Sequence, residues 1–204
     1  MPRKSTVDNA MSPASLPSSR VAGLRAVELT ATWEPRLQRF FESSPEYFNA
    51  VLGEPAGPDE AHEEIHGELP SGWSFTKKWL IGYVDGVDAM VAMANVIEDL
   101  LAPTVWHIGL FILATSRHGS GDAQLIVGGL ESWALERGAE WLRLSVVKGN
   151  SRAERFWESL GFQDARVREG VEMGKRRNSM RVMFKPLSGG TRERYFSIID
   201  RDRP

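Results

Sequence analysis

The chain contains no cysteine. Disulfides, thiolate nucleophiles and cysteine-ligated metals are therefore excluded. It also lacks any apolar run near the roughly 20 residues needed to cross a bilayer, and no membrane association is expected. Excess charge is missing too. A net charge of −2 gives no general attraction to nucleic acid, which makes that an unlikely partner. Histidine is scarce, with four in all: His62, His66, His107 and His118. His62 and His66 stand four apart on an expected helix, a spacing able to hold a metal. Their neighbours Glu60, Glu63, Glu64 and Glu68 read more simply as a solvated acidic face, so no metal is expected. What remains is 204 residues with 42% hydrophobic content, enough for one core and one domain.

Residues 1–22 are rich in Ser, Pro and Ala without apolar periodicity, and read as a disordered arm. They lack the continuous apolar segment of a secretory signal, so a cytoplasmic location is expected. A strand follows near Leu24–Leu29. Helical pieces then come from Thr32 (with Pro35 in the first turn), from Glu46 and from Asp59. Phe75–Val84 and Ala89–Ile97 read as strands joined by an Asp85-Gly86 turn. Val105–Leu113 and Trp141–Val147 are further strands. Ser151 and Glu154 form a capping box that opens a short helix ended by Gly161. Ala165–Val171 and Met180–Leu187 make a hairpin around a basic tip. Residues 188–204 read as a charged, mobile tail, which leaves 23–187 as the folded domain. Alternating strands and helices flanked by hairpins argue for a mixed α/β (α+β) sheet.

The most informative stretch is His118-Gly119-Ser120-Gly121-Asp122-Ala123. It lies between the strand Val105–Leu113 and a helix marked by Ile126, Leu130, Trp133 and Ala134 at spacings of three and four. Glycines in such a strand-to-helix turn let the backbone approach a ligand, and the unpaired N–H groups of the helix start favour an anion such as a phosphate or pyrophosphate.

A second motif follows the strand Trp141–Val147: Asn150-Ser151-Arg152-Ala153-Glu154-Arg155-Phe156-Trp157, ending in Gly161-Phe162. Together the two motifs resemble those of the GNAT superfamily of N-acetyltransferases, from Trp106 to about Phe184. The first is similar to that family's Gln/Arg-x-x-Gly-x-Gly/Ala turn, the second to its Asn-x-x-Ala-x-x-Phe-Tyr-x-x-x-Gly-Phe segment. The resemblance implies a mostly antiparallel central sheet of about six to seven strands flanked by about four helices. It also implies acetyl-CoA as co-substrate, with acetyl transfer to a primary amine by direct attack. The acceptor would be a small-molecule amine or an amino-terminal or side-chain amine, and a homodimer is possible.

On that resemblance the amides of Gly119, Ser120, Gly121, Asp122 and Ala123 hold the pyrophosphate. Phe111, Ile112 and Leu113 offer backbone bonds to the pantetheine arm and donors to the oxyanion, and Asn150, Ala153 and Phe156 flank the arm from the other side. His118 stands where the family has Gln or Arg, and would make a pH-sensitive phosphate contact. Trp157 stands where many relatives carry an acidic Tyr. Its indole N–H does not titrate near neutrality, so it would act by shape. Ser145 stands where some relatives carry a Glu base. The candidates for the amine's proton are Glu98 and Asp99 at a strand end and His107 on the central strand, the last also readable as a core histidine. Trp33, Tyr47, Phe48, Trp73 and the acid run Glu60–Glu68 are candidates for an acceptor pocket suited to a cationic amine, or equally core aromatics and solvated acids. The basic tip Lys175-Arg176-Arg177 points the other way, to an anionic acceptor or the CoA 3′-phosphate. A non-catalytic acyl-CoA sensor or accessory domain is the alternative.

Overall fold

The computed structural model describes residues 15–204. Seven strands form one sheet: β1 (Arg25–Glu28), β2 (Lys77–Val84), β3 (Met90–Glu98), β4 (Val105–Leu113), β5 (Trp141–Val147), β6 (Gln163–Met173) and β7 (Arg176–Pro186). Their order is β1-β2-β3-β4-β5-β7-β6, antiparallel except where β4 runs parallel to β5. The six α-helices are α1 (Glu34–Glu42), α2 (Pro45–Val51), α3 (Glu60–His66), α4 (Asp122–Glu136), α5 (Ser151–Ser159) and α6 (Arg192–Ile198). The expected mixed, mainly antiparallel sheet is present, with short helices beyond the expected four.

β4 and β5 are central, and side chains on both their faces are buried, so each reads as a continuous apolar run rather than an alternating one. One face packs against α4 and α5, where Trp133 sits edge-on between Trp79 and Trp106 at 5.2 and 5.1 Å. The other face is covered by α1 to α3, with Leu37, Phe41 and Phe48 against Leu80, Met93 and Leu110. Ile126, Val127, Leu130 and Trp133 give α4 its buried stripe.

Both ends of the chain depart from expectation. Of the arm expected over 1–22, residues 1–14 lie outside the described residues. Residues 15–22 are packed: Leu16 and Val21 join the α4 face, Ser19 is buried, and Trp133 Nε1 donates to the Ser15 carbonyl at 2.6 Å. A side chain at Gly129 would overlap the Ser18 carbonyl oxygen, which accounts for a glycine in the middle of α4.

The charged tail is corrected more strongly. Residues 188–204 fold back as α6 and a 3-10 turn, placing Tyr195 and Asp202 fully inside. The physical reason is Arg143 on β5, itself buried. Its Nε and Nη2 donate to the two Asp202 oxygens at 2.6 and 2.9 Å. Tyr195 Oη and Arg168 Nη2 donate to the same carboxylate at 2.7 and 3.1 Å. Burial alone would push the Asp202 pKa up, but the bonds from Arg143 and Tyr195 outweigh it and hold that pKa low.

His107 belongs to this cluster. Its Nδ1 accepts from Arg143 Nη1 at 3.2 Å, which requires a neutral ring. Burial first, and then the Arg143 charge, lower its pKa to about 3. Because the unfolded imidazole titrates near 6.5, the unfolded chain binds a proton that the folded chain refuses between those values. Stability is therefore expected to fall as pH drops below about 6.5, by about 1.4 kcal/mol per pH unit from this group. Urea melts from pH 7 to 4 should show a shallower acid slope for His107→Gln. An unchanged slope would place the sensitivity elsewhere.

Candidate active site

The site begins with a bulge. Asn95 of β3 pairs with Leu110 of β4, whereas Val96 pairs with Ile108, so Gly109 is an extra residue. The parallel ladder between β4 and β5 joins Val105–Ile108 to Trp141–Leu144 and goes no further. From Gly109 onward β4 leaves β5, and Gly109 is exposed in a strand whose other residues are wholly or partly buried. The separation opens a cleft of about 590 Å³.

Phe111, Ile112 and Leu113 line one side of the cleft, and Asn150, Ala153, Phe156 and Trp157 the other. His118, Gly119, Gly121 and Ala123 close one end, while Ser44, Glu46, Tyr47 and Ala50 form an outer wall. The rings of Phe111 and Phe156 lie parallel, 6.2 Å apart. Trp157 is buried edge-on against Phe111 and Phe162, a packing position.

Gly119 and Gly121 have φ of +80° and +89°, the left-handed region, and Gly121 is the N-cap of the 15-residue α4. A Cβ at either would meet nothing within 4 Å, so the space over the turn is open to a ligand. Ser120 Oγ donates to the Arg117 carbonyl at 2.7 Å and accepts from Asp122 N–H at 3.2 Å, which fixes the turn. The buried Asp122 carboxylate is matched by Arg117 at 3.1 Å, so its charge does not oppose an anion there. His118 departs from expectation. Its Nε2 lies 3.0 Å from the Leu113 carbonyl and its Nδ1 3.5 Å from Glu46, so the ring ties the turn to β4 and α2 rather than reaching for a phosphate.

The cap of α5 is Asn150 rather than Ser151: its Oδ1 accepts from Ala153 N–H at 3.3 Å, and Glu154 reaches back to Gly149 N–H at 3.3 Å. Arg152 is paired with Glu46 at 3.3 Å. Arg155 lines the cleft without an ion-pair partner among the described residues.

The three expected proton acceptors are not at the cleft. Glu98 accepts from Trp79 Nε1 at 2.9 Å and lies 3.5 Å from Arg137. Asp99 stabilises its own loop, accepting from Thr104 N–H at 2.8 Å and Thr76 Oγ1 at 2.7 Å. His107, bound to Arg143, precedes Leu113 along β4 by about 20 Å at the ordinary strand rise. All three serve the opposite end of the sheet, and that expectation is corrected.

Glu64 on α3 reaches the bulge through Asn95, from behind the residues that line the cleft. It accepts from Asn95 Nδ2 at 2.6 Å, and the Asn95 side chain lies 3.6 Å from where a Cβ of Gly109 would stand. Asn95 is buried, and its Oδ1 has no hydrogen-bond partner among the described residues. Burial pushes the Glu64 pKa up, opposed by Lys78 and Asn95. Tyr47 on the outer wall senses this group: burial, then the charges of Glu64 and Glu60, push its phenol up. Helical spacing could have singled out Glu64, since it and Glu60 lie one turn apart beside the inward residues Ala61 and Ile65.

A sheet that parts at a bulge, with a glycine turn and a helix N-terminus closing the gap, offers an elongated cleft whose one end suits an anionic group. The chain belongs to the GNAT family: the model described as "Acetyltransferase (GNAT) family" matches residues 28–162. No curated protein sequence matches it closely enough to count as a relative.

Among solved structures it is similar to the ribosomal-protein-S18-alanine N-acetyltransferase of Escherichia coli, at 16% identity and TM-score 0.59, covering 83% of this chain and 97% of that one. A GCN5-related N-acetyltransferase from Kribbella flavida gives 22% and 0.59, covering 80% and 98%. Spermidine N-acetyltransferase from Vibrio cholerae, solved with CoA and spermine, gives 14% and 0.63, covering 82% and 98%. At such identities these likenesses concern the fold. No helix among the described residues is long and apolar enough to cross a membrane.

Proposed function

We propose that the protein transfers the acetyl group of acetyl-CoA to a primary amine that is itself cationic. The observation that carries this reading is the division of charge along the cleft. Beside the glycine turn Arg155 is unpaired among the described residues, while Arg117 and Arg152 are matched by Asp122 and Glu46. The charges of Glu60 and Glu64, by contrast, act on the phenol of Tyr47 on the outer wall. A pyrophosphate is bound by the amides of Gly119 to Ala123, with Arg155 free to meet a further phosphate. The pantetheine runs back along Phe111, Ile112 and Leu113, whose edge β5 leaves unpaired, and Asn150 and Ala153 border it opposite. That direction carries the acyl end toward Gly109, Asn95 and Glu64.

There the ammonium gives one proton to water and attacks as the neutral amine, and the Glu64 carboxylate, oriented by Asn95, takes the second proton as the C–N bond forms. The amine nitrogen bonds to the acetyl carbon, the C–S bond breaks, and coenzyme A departs as thiolate. Strand amides near Phe111 stabilise the oxyanion between these steps. Amine acceptors are also named for two of the structural neighbours, a ribosomal alanine and spermidine.

Two measurements test the reading. Thiol release from acetyl-CoA with a panel of amines should favour polyamines and amino sugars over neutral amines. Acetyl-CoA bound without turnover on any amine would support a sensor instead. In parallel, Gly121→Val should weaken acetyl-CoA binding at least tenfold, about 1.4 kcal/mol, in a folded protein, because its side chain enters the open space and its φ is disfavoured. Calorimetry giving equal affinity would remove the turn from the binding site.

A further inference from the structure

We propose that Glu34, His62 and His66 form a binding site for a divalent transition metal of the Zn²⁺ type, clipping α1 to α3 on the surface. Glu34 opens α1, while His62 and His66 stand one turn apart on α3. A Glu34 carboxylate oxygen lies 3.3 Å from His62 Nδ1 and 3.4 Å from His66 Nε2. The two rings have centroids 4.5 Å apart, and the three ligand atoms fall within 4.8 Å of one another. Around a tetrahedral zinc ion with bonds of about 2.0–2.1 Å, neighbouring ligand atoms lie about 3.3–3.4 Å apart. The carboxylate is therefore already at ligand spacing from both imidazoles, and rotation of two exposed rings supplies the rest.

Simple pairing of an acid with two histidines would need no such arrangement between helices, and two further observations favour the ion. The helices are pinned one turn along by Gln38. Its Oε1 accepts from Ala61 N–H at 3.0 Å and its Nε2 donates to the Gly57 carbonyl at 2.8 Å, so the site is held before any metal arrives. Two imidazoles and one carboxylate are also a donor set that suits zinc and leaves a fourth position for water, whereas Mg²⁺ and Ca²⁺ prefer oxygen alone. The carboxylates of Glu60 and Glu63 on the same helix add to the attraction for a cation. The site is separate from the cleft residues and independent of the acetyl-transfer reading.

Untagged, chelator-treated protein titrated with ZnCl₂ should bind one ion per chain by calorimetry, and its melting temperature should rise with zinc and fall back with EDTA. His62→Ala, His66→Ala and Glu34→Gln should each weaken that binding at least tenfold, while His118→Gln leaves it unchanged. The three substituted side chains are surface groups, and circular dichroism confirms that the variants fold. No binding at about 1 mM zinc, or the same affinity in the His62→Ala/His66→Ala double variant, overturns the proposal.

Discussion

Glu64→Gln is expected to lower kcat for a cationic amine by about 10²- to 10³-fold while leaving acetyl-CoA affinity within about twofold, the range that loss of a positioned general base commands. Glutamine keeps the shape and can still meet Asn95, but it can neither take a proton nor attract an ammonium. The effect should appear chiefly in kcat, with a smaller rise in KM for the amine as the negative wall weakens. Glu60→Gln, farther from Asn95, should raise KM and spare kcat. If Glu64→Gln turns over normally, the proton leaves by another route, and Glu64 is only a support for Asn95.

The second large effect concerns stability. Asp202→Ala should cost about 3–5 kcal/mol, the usual penalty for stranding one partner of a buried ion pair. Arg143 would lose both of its carboxylate bonds within a site that water cannot reach, and Tyr195 its acceptor. Replacing the pair together, as Arg143→Met with Asp202→Leu, should cost markedly less than Asp202→Ala alone, because the one charge left without its partner, Arg168, is partly exposed to water. Urea denaturation of the three variants measures this. A cost for Asp202→Ala below about 1 kcal/mol would mean that water or another group replaces the carboxylate. Acetyl-CoA binding should be little affected in the folded fraction, since the network lies at the opposite end of β4 from the cleft.

The limits of the sequence reading follow from the same physics. The bounds of β4 and β5 were legible because both strands are apolar runs stopped by turn residues. The glycine turn was legible because glycine adopts without strain the left-handed φ found at 119 and 121. Gly109 was not singled out. A glycine inside a strand pattern signals a bulge only once its partner's register is known, and Asn95 supplies that from another strand. The residues from 188 onward read as a mobile tail because Arg and Asp in a polar segment ordinarily mean surface, and only Arg143, far away in sequence, makes Asp202 an interior residue. Glu98, Asp99 and His107 have the chemical type of a proton acceptor and lie by strands that reach the cleft, but at the end away from it. Glu64 was hidden in an acid-rich helix, and what separates it from its neighbours is one hydrogen bond across the fold.

The Arg143–Asp202 pair also bears on how the protein is made. The two residues are 59 positions apart, so a ribosome has already produced β5 well before the carboxylate exists. Until then the growing chain holds a guanidinium in the middle strand with no acid to receive it. A sheet formed early leaves Arg143 without its carboxylate, and leaves Trp141 and Phe184 without the Tyr195 and Ile199 that cover them. Completion of the domain is thus deferred until residue 202 is available, and translation that stalls before it should leave a product open to proteolysis rather than a stable fragment.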